Sequence, residues 1–359
     1  MRAVVMRNSA LVVDTVPDPE PQPGDVLVRT IACGICGSDL HALQHGAALV
    51  AAQRDMGATN VMDLGRDVIM GHEFAGEILD YGPGTMRSWP VGTPVCSVPM
   101  VLRPTSMEAL GFSNELPGGY GERMVLSGAL LLPIPNGLPP ELAALTEPMA
   151  VGLHAVGLAH LAPHDVPLVI GCGPVGLAVI AALKLRGAAP IVAADFSPAR
   201  RALAVRMGAD VVVDPAAQSP YASWREVAVA TSADQATPPS FLLPSDVPLR
   251  PAVVFECVGV PGVVDAIVAG VPPHARVVVV GVCMERDAFR PLFALVKEIT
   301  LRFAFYYSPE EYAETLAALG DGRIDVAPLV TGRVGLDEVP EAFHTLATPA
   351  QHAKILVRP

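Results

Sequence analysis

The sequence predicts an α/β protein of two parts, a β-rich half followed by a doubly wound parallel-sheet half, and three observations carry that prediction. The chain of 359 residues is long for a single core and fits two domains. Up to about Leu132, short alternating segments are broken every few residues by Gly and Pro. From Leu168 the texture changes to runs such as "PLVIG", "PIVAAD" and "VVVVG", separated by Ala-rich helical stretches. Runs apolar on both faces are what buried parallel strands with crossover helices require.

Taken in order, strands are expected over residues 3–5 and 11–13 and, after the stiff turn "PDPEPQPG", over 26–30. The stretch 42–67 separates "CGICGSDLH" (33–41) from "MGHEFAG" and is expected to hold a short helix around 47–56. Segments such as "GEILDYGPGT", "VGTPVCSVP" and "GGYGERMVL" continue the β-rich, barrel-like half. In the second half, the Pro/Ser-rich stretch 231–251 reads as an exposed surface insertion.

Composition narrows the function. Lys and Arg number 24 against 36 Asp and Glu, a formal net charge of −12, which argues against a nucleic-acid partner. No stretch reaches the roughly 18 uninterrupted apolar residues of a membrane span. The opening "MRAVV" reads as a strand rather than a leader, so the expected location is the cytoplasm. The six cysteines, at 33, 36, 96, 172, 257 and 283, make no disulfide framework, and a reducing compartment leaves them as thiols or ligands.

In "VIGCGPVGLAVIAALKLRGAAPIVAADFSP", Gly171, Gly173 and Gly176 form a G-x-G-x-x-G pattern between a strand and a helix, with Pro174 and Val175 inside the same turn. The first glycine permits the tight turn, the second lets backbone approach a pyrophosphate, and the third allows close helix–strand packing. The helix N-terminus offers that anion unpaired N–H groups and the positive end of its dipole. This is a Rossmann dinucleotide fingerprint. Asp195 closes the next strand about 20 residues on, where a carboxylate accepts from both ribose hydroxyls and repels a 2′-phosphate, so NAD is favoured over NADP. Arg200, with Arg201 beside it, keeps NADP open, since a guanidinium there can pair with that phosphate.

"CGICGSDLH" has three readings. A closed structural zinc site needs a second short-spaced pair to match Cys33-x-x-Cys36, and the other cysteines are solitary. A redox pair normally stands at a strand-to-helix junction, whereas this motif follows a strand of the β-rich half. A catalytic site keeps three protein ligands and one open position. His72 and Glu73 of "MGHEFAG" and Glu147 of "LTEPMAVGLHAV" can supply such ligands. Singly, each has a structural explanation, as a hydrogen-bonded core histidine or an acidic residue at a helix start.

Cys36-Gly37-Ser38-Asp39-x-His41, Gly71-His72-Glu73, Glu147-Pro148 and the Gly171–Gly176 fingerprint occur in the order seen in the zinc-dependent medium-chain dehydrogenase/reductase family of alcohol and polyol dehydrogenases, and the chain resembles that family from end to end. The resemblance implies a GroES-like catalytic domain over 1–151 and 305–359, an NAD-binding Rossmann domain over 152–304, and hydride transfer between an alcohol and a nicotinamide. It makes Cys36 and His72 zinc ligands and leaves the third open between Glu73 and Glu147. It makes Asp39 the carboxylate that orients the zinc-bound imidazole, Ser38 the hydroxyl that meets the substrate oxygen, and His41 the relay that receives the proton through the cofactor ribose and passes it to solvent. Lys354 resembles a basic residue that reaches the pyrophosphate. "ITLRFAFYY" looks like the last strand of the nucleotide sheet and a dimer edge, implying a homodimer or homotetramer acting on a small-molecule alcohol, aldehyde or ketone. The family's structural-zinc lobe would fall near 96–115, where only Cys96 is present, so one catalytic zinc and no structural zinc is expected. The insertion 42–67 is expected to cover the mouth of the site. The apolar stretches around Pro99 and over 303–307 tilt the expected substrate toward hydrophobic alcohols.

Overall fold

The computed structural model describes the chain except for Thr59, Pro239, Phe241, Pro244 and residues 348–351, with Ala347 described in its backbone only. The chain divides into two compact units, Met1–Glu147 with Tyr312–Pro359, and Pro148–Glu311.

In the first unit the N-terminal hairpin runs through Arg2–Arg7 and Ala10–Thr15. Asn8 and Ser9 between the strands both have positive φ (50° and 60°), the backbone a two-residue hairpin with the right twist demands. The strand Asp25–Gly34, longer than the expected 26–30, is the spine of a seven-stranded sheet. It pairs antiparallel with Glu73–Tyr81, Arg123–Ser127 and Lys354–Val357. In register, Gly34 lies opposite Glu73 on one side and Leu356 on the other. The C-terminal strand is thereby brought within two residues of Cys36.

The stretch 37–55 departs from the expected short helix. A single 19-residue helix, Gly37–Asp55, starts directly after Cys36. Cys36 is extended (φ −96°, ψ 154°), and its amide donates to Asp39 Oδ2 at 3.0 Å. That bond satisfies one N–H at the helix entrance and sets the start. His45 leaves helical geometry (φ −125°, ψ 22°) and kinks the helix. Ala42, Gly46 and Val50 are buried, and with Met62 and Leu64 they pack into the core of this unit. Residues 42–67 are therefore partly an internal layer of the first unit.

The second unit carries six parallel strands in the order Val211–Val213, Val192–Ala194, Val166–Ile170, Ala252–Glu256, Arg276–Val279, Thr300–Phe303. This is the doubly wound arrangement: the order reverses beside Val166–Ile170, and ligands bind outside the carboxyl ends of the strands at that reversal. The core beneath is aliphatic, closed by Trp224, whose indole N–H donates to Val166 O at 2.9 Å. Thr300–Phe303 forms the edge of the sheet, and Phe303 is 70% exposed.

Candidate active site

Cys36, His72 and Glu73 converge at the end of the spine strand, with one ligand atom from each lying within 4.8 Å of the others. Among the described residues this is the group that can hold a metal ion. The chain reaches it through Gly71, whose φ of 100° favours glycine. A Cβ there would lie 2.8 Å from both Cys33 Sγ and the Tyr120 ring. Cys33 is fully buried in this packing, and burial pushes its thiol well up, with the charges of Asp39 and Glu73 adding to the effect. The C-x-x-C pair does stand at a strand-to-helix junction, contrary to the sequence expectation. What separates it from a redox pair is Cys33, which is an inert buried thiol.

The two nitrogens of His72 face different partners. Nδ1 lies 3.4 Å from Asp39 Oδ1 and Nε2 lies 3.3 Å from Ser38 Oγ. Asp39 is wholly buried and is held from its other oxygen by the Tyr120 hydroxyl (2.6 Å) and the Cys36 amide. Burial opposes a charged imidazole, yet the charges of Asp39 and Cys36 outweigh it and hold His72 well above its ordinary range. His72 Nδ1 and Asp39 Oδ1 are buried and, at 3.4 Å, pair as charges without a hydrogen bond between them. A thiolate, an imidazole backed by a carboxylate, and an acidic side chain are a donor set that suits zinc.

Lys354 lies elsewhere than the sequence suggested. Its ammonium is buried and donates to Glu73 Oε1 (2.6 Å), Glu73 Oε2 (2.7 Å) and Ile35 O (3.0 Å). All three donors are used, so a pyrophosphate contact is not available to it in this arrangement. Burial works against the ammonium, but the Glu73 and Cys36 charges outweigh it and raise its pKa. Gly34 makes the pairing possible: a Cβ on it would sit 2.0 Å from Glu73 Oε2. Glu147, buried in the first turn of the helix Thr146–Leu158, stands outside the tight ligand group, though its charge reaches Lys354. His41 lies half-buried on the same helix as Ser38.

At the dinucleotide loop, Gly171 has φ 91°, and a Cβ on Gly176 would meet Gly171 O at 1.9 Å. Around Gly173 the space is open apart from Arg200 Nη1 at 3.9 Å. Pro174 and Val175 start the helix Pro174–Leu185 on a Gly173 N-cap. Asp195 accepts from the Cys172 amide (2.8 Å) and the Ser197 amide (2.7 Å), which fixes its carboxylate beside the glycine turn. The two arginines diverge. Arg201 is committed to Asp195 O, Phe196 O and Asp214. Arg200 leans toward Asp195 Oδ2 at 3.9 Å and keeps a buried Nε without a partner.

Comparison with known proteins decides the family. A zinc-binding dehydrogenase model matches residues 174–321, and an alcohol dehydrogenase GroES-like domain model matches 22–136. The (R,R)-butanediol dehydrogenase of Bacillus subtilis is 30% identical over 356 residues, spanning 97% of this chain and 96% of that protein. The chain belongs to the zinc-dependent medium-chain alcohol/polyol dehydrogenases. This dehydrogenase is also 29% identical to the sorbitol dehydrogenase of Gallus gallus, over 96% of its own length and 92% of that chain. The crystal structure of 2R,3R-butanediol dehydrogenase from Bacillus subtilis matches it with a TM-score of 0.81 at 29% identity, covering 100% of this chain and 99% of that one. A zinc-binding dehydrogenase from Sinorhizobium meliloti 1021, solved with NADP, matches with a TM-score of 0.79 at 26% identity and the same coverage.

Tyr120 and Gly34, and the partner of Lys354, escaped the sequence. Tyr120, which clamps Asp39, lies 81 residues away in sequence and belongs to no motif. Gly34 and Lys354 meet Glu73 only because three strands lie side by side. In the stretch 96–115 the dehydrogenase has the hairpin Met100–Leu102 with Met107–Ala109, tied down by Arg103 to the buried Asp25 at 2.6 Å.

Proposed function

We propose that this dehydrogenase reversibly oxidises a secondary alcohol of a small diol or polyol with NAD in preference to NADP, using one catalytic zinc. The observation that carries the reading is the convergence of Cys36 and His72 in one metal-capable group, with the buried Asp39 behind His72. The near-full-length relatives named for butanediol and sorbitol support the diol or polyol class over a purely hydrophobic alcohol. The Asp195 carboxylate, fixed beside the glycine turn, supports NAD, and the partnerless Nε of Arg200 is what would favour a phosphorylated ribose.

Cys36 and His72 hold the metal, and we assign the third acidic ligand to Glu147, directly or through water. Both oxygens of Glu73 already accept from Lys354. When bound, zinc supplies Lewis acidity that lets an alcohol O–H ionise near neutral pH. Ser38 Oγ, beside His72, takes the alcohol proton as it gives up its own hydroxyl proton toward His41, which passes it on; imidazole suits that step because its ordinary pKa is about 6.5. A bound nicotinamide would supply the acceptor for the hydride of the carbinol carbon. Gly171, Gly173, Pro174, Val175 and Gly176 would hold its pyrophosphate and Asp195 its adenosine ribose. The exposed edge strand Thr300–Phe303 supports a homodimer or homotetramer. No described helix is long and apolar enough to cross a membrane, and the proposed setting is the cytoplasm.

Metal analysis of the purified protein, combined with a screen of NAD and NADP reduction by butanediol stereoisomers, sorbitol and simple alcohols, tests the reading. Stoichiometric zinc and NAD reduction by a vicinal diol are expected, with Glu147→Gln losing more zinc than Glu73→Gln. Full turnover after exhaustive chelation would overturn it.

A further inference from the structure

One face of the helix Gly37–Asp55 carries a line of proton-bearing side chains. Ser38, His41 and His45 are spaced i, i+3 and i+7, the spacing of a single helical stripe. The rings of His41 and His45 lie 6.1 Å apart between centroids, with planes inclined by 34°. Exposure rises along the stripe: Ser38 and His41 are half-buried, and His45 is exposed. His41 Nδ1 is buried without a hydrogen-bond partner among the described residues, so that nitrogen is not committed to a structural bond. The helix departs from regular geometry at His45 itself, where the ring is carried at the kink rather than mid-turn.

We propose that His45 is the exit of the proton relay, receiving from His41 the proton that leaves the alcohol and delivering it to water. The proposal rests on the dehydrogenase reading above and adds a residue to it. The alcohol O–H bond breaks, and an N–H bond forms at His41. That bond breaks in turn as one forms at His45, directly or across one water. His45 then gives the proton to solvent, while the electron pair of the carbinol C–H bond leaves with the hydride. Burial, and after it the charge of His45, hold His41 below its ordinary range, so a proton does not lodge there. The charge acting on His41 is that of His45 on its own helix; Asp39 is turned toward His72, Tyr120 and the Cys36 amide.

The test is His45→Gln, an exposed substitution at a position already non-helical. At low buffer concentration, kcat for alcohol oxidation should fall about tenfold with KM unchanged, less than the about 10²–10⁴-fold typical of a direct general acid–base group, because water stands in partly. Added imidazole should restore it. In the metal-free protein, NMR titration of His41 should show its pKa rising in the variant, since a neighbouring positive charge is gone. Wild-type kcat at low buffer together with an unmoved His41 titration would overturn the proposal, as would a loss of kcat that imidazole does not rescue. If the wild-type protein oxidises no alcohol, the dehydrogenase reading is what fails, and the His41 titration still tests the pairing of the two rings.

Discussion

Replacing Lys354 by methionine is expected to cost the folded first unit about 3–5 kcal/mol, because it leaves a buried carboxylate without its partner. The magnitude follows from the site. Glu73 is 0% and Lys354 2% exposed, and the ammonium lies 2.6 and 2.7 Å from the two carboxylate oxygens. At an effective dielectric constant near 20, charges this close attract by about 6 kcal/mol, and the desolvation of both groups offsets part of that. Removing one partner forfeits the attraction and keeps the other's desolvation cost. In the double variant Lys354→Met/Glu73→Gln the stranded charge is gone, and at least about half of the loss should return. Urea unfolding in the presence of a chelator measures this without a contribution from metal. The chain's two tryptophans, Trp89 and Trp224, fall one in each unit, so a Trp224→Phe background isolates the first unit's signal. A single-variant cost below about 1 kcal/mol, or a double variant that sums the two singles, would refute the buried pair as described.

Asp39→Asn should lower zinc affinity by about 10–100-fold, the usual consequence of removing the carboxylate that orients a ligating imidazole, and a competition titration against a chromogenic chelator measures it. Tyr120→Phe should act in the same direction and more weakly, since it removes one of the bonds that hold Asp39. Asp195→Ser should raise the NAD KM and relax the preference over NADP, read from kcat/KM with each cofactor. Glu141, which accepts from Arg333 at 2.7 Å and pairs also with Arg358, has its carboxyl lowered from 4.5 to about 2 by those two arginines. A depressed carboxylate stabilises the fold above its unfolded pKa, and that contribution disappears as pH falls through the folded value. The wild-type Tm should therefore drop more steeply than that of Glu141→Gln between about pH 4.5 and pH 2.

The readable parts of this protein are local in sequence. The glycine fingerprint, the strand before it and the acidic residue after the next strand lie within 30 residues, so backbone geometry and spacing announce them together. Cys36, Ser38 and Asp39 share one helix entrance, and His72 and Glu73 one strand start, so their grouping by motif carried over directly into contact. The start of the helix 37–55 is not legible in the sequence, because its capping bond comes from Asp39 reaching back to the Cys36 amide rather than from a Ser or Thr at the N-cap.

Taken by itself, the amino-acid order determined the two-unit α/β architecture, the dinucleotide turn and the motifs that bring Cys36, His72 and Glu73 together, because these depend on periodicity and on short-range backbone constraint. Where charge is neutralised was decided only by tertiary packing. A lysine near the C-terminus reads as free to meet a phosphate until its strand is laid beside Gly34, where the missing side chain opens a passage to Glu73 and all three ammonium hydrogens are consumed. Sheet order across hundreds of residues sets that encounter, and low dielectric inside the sheet makes it binding.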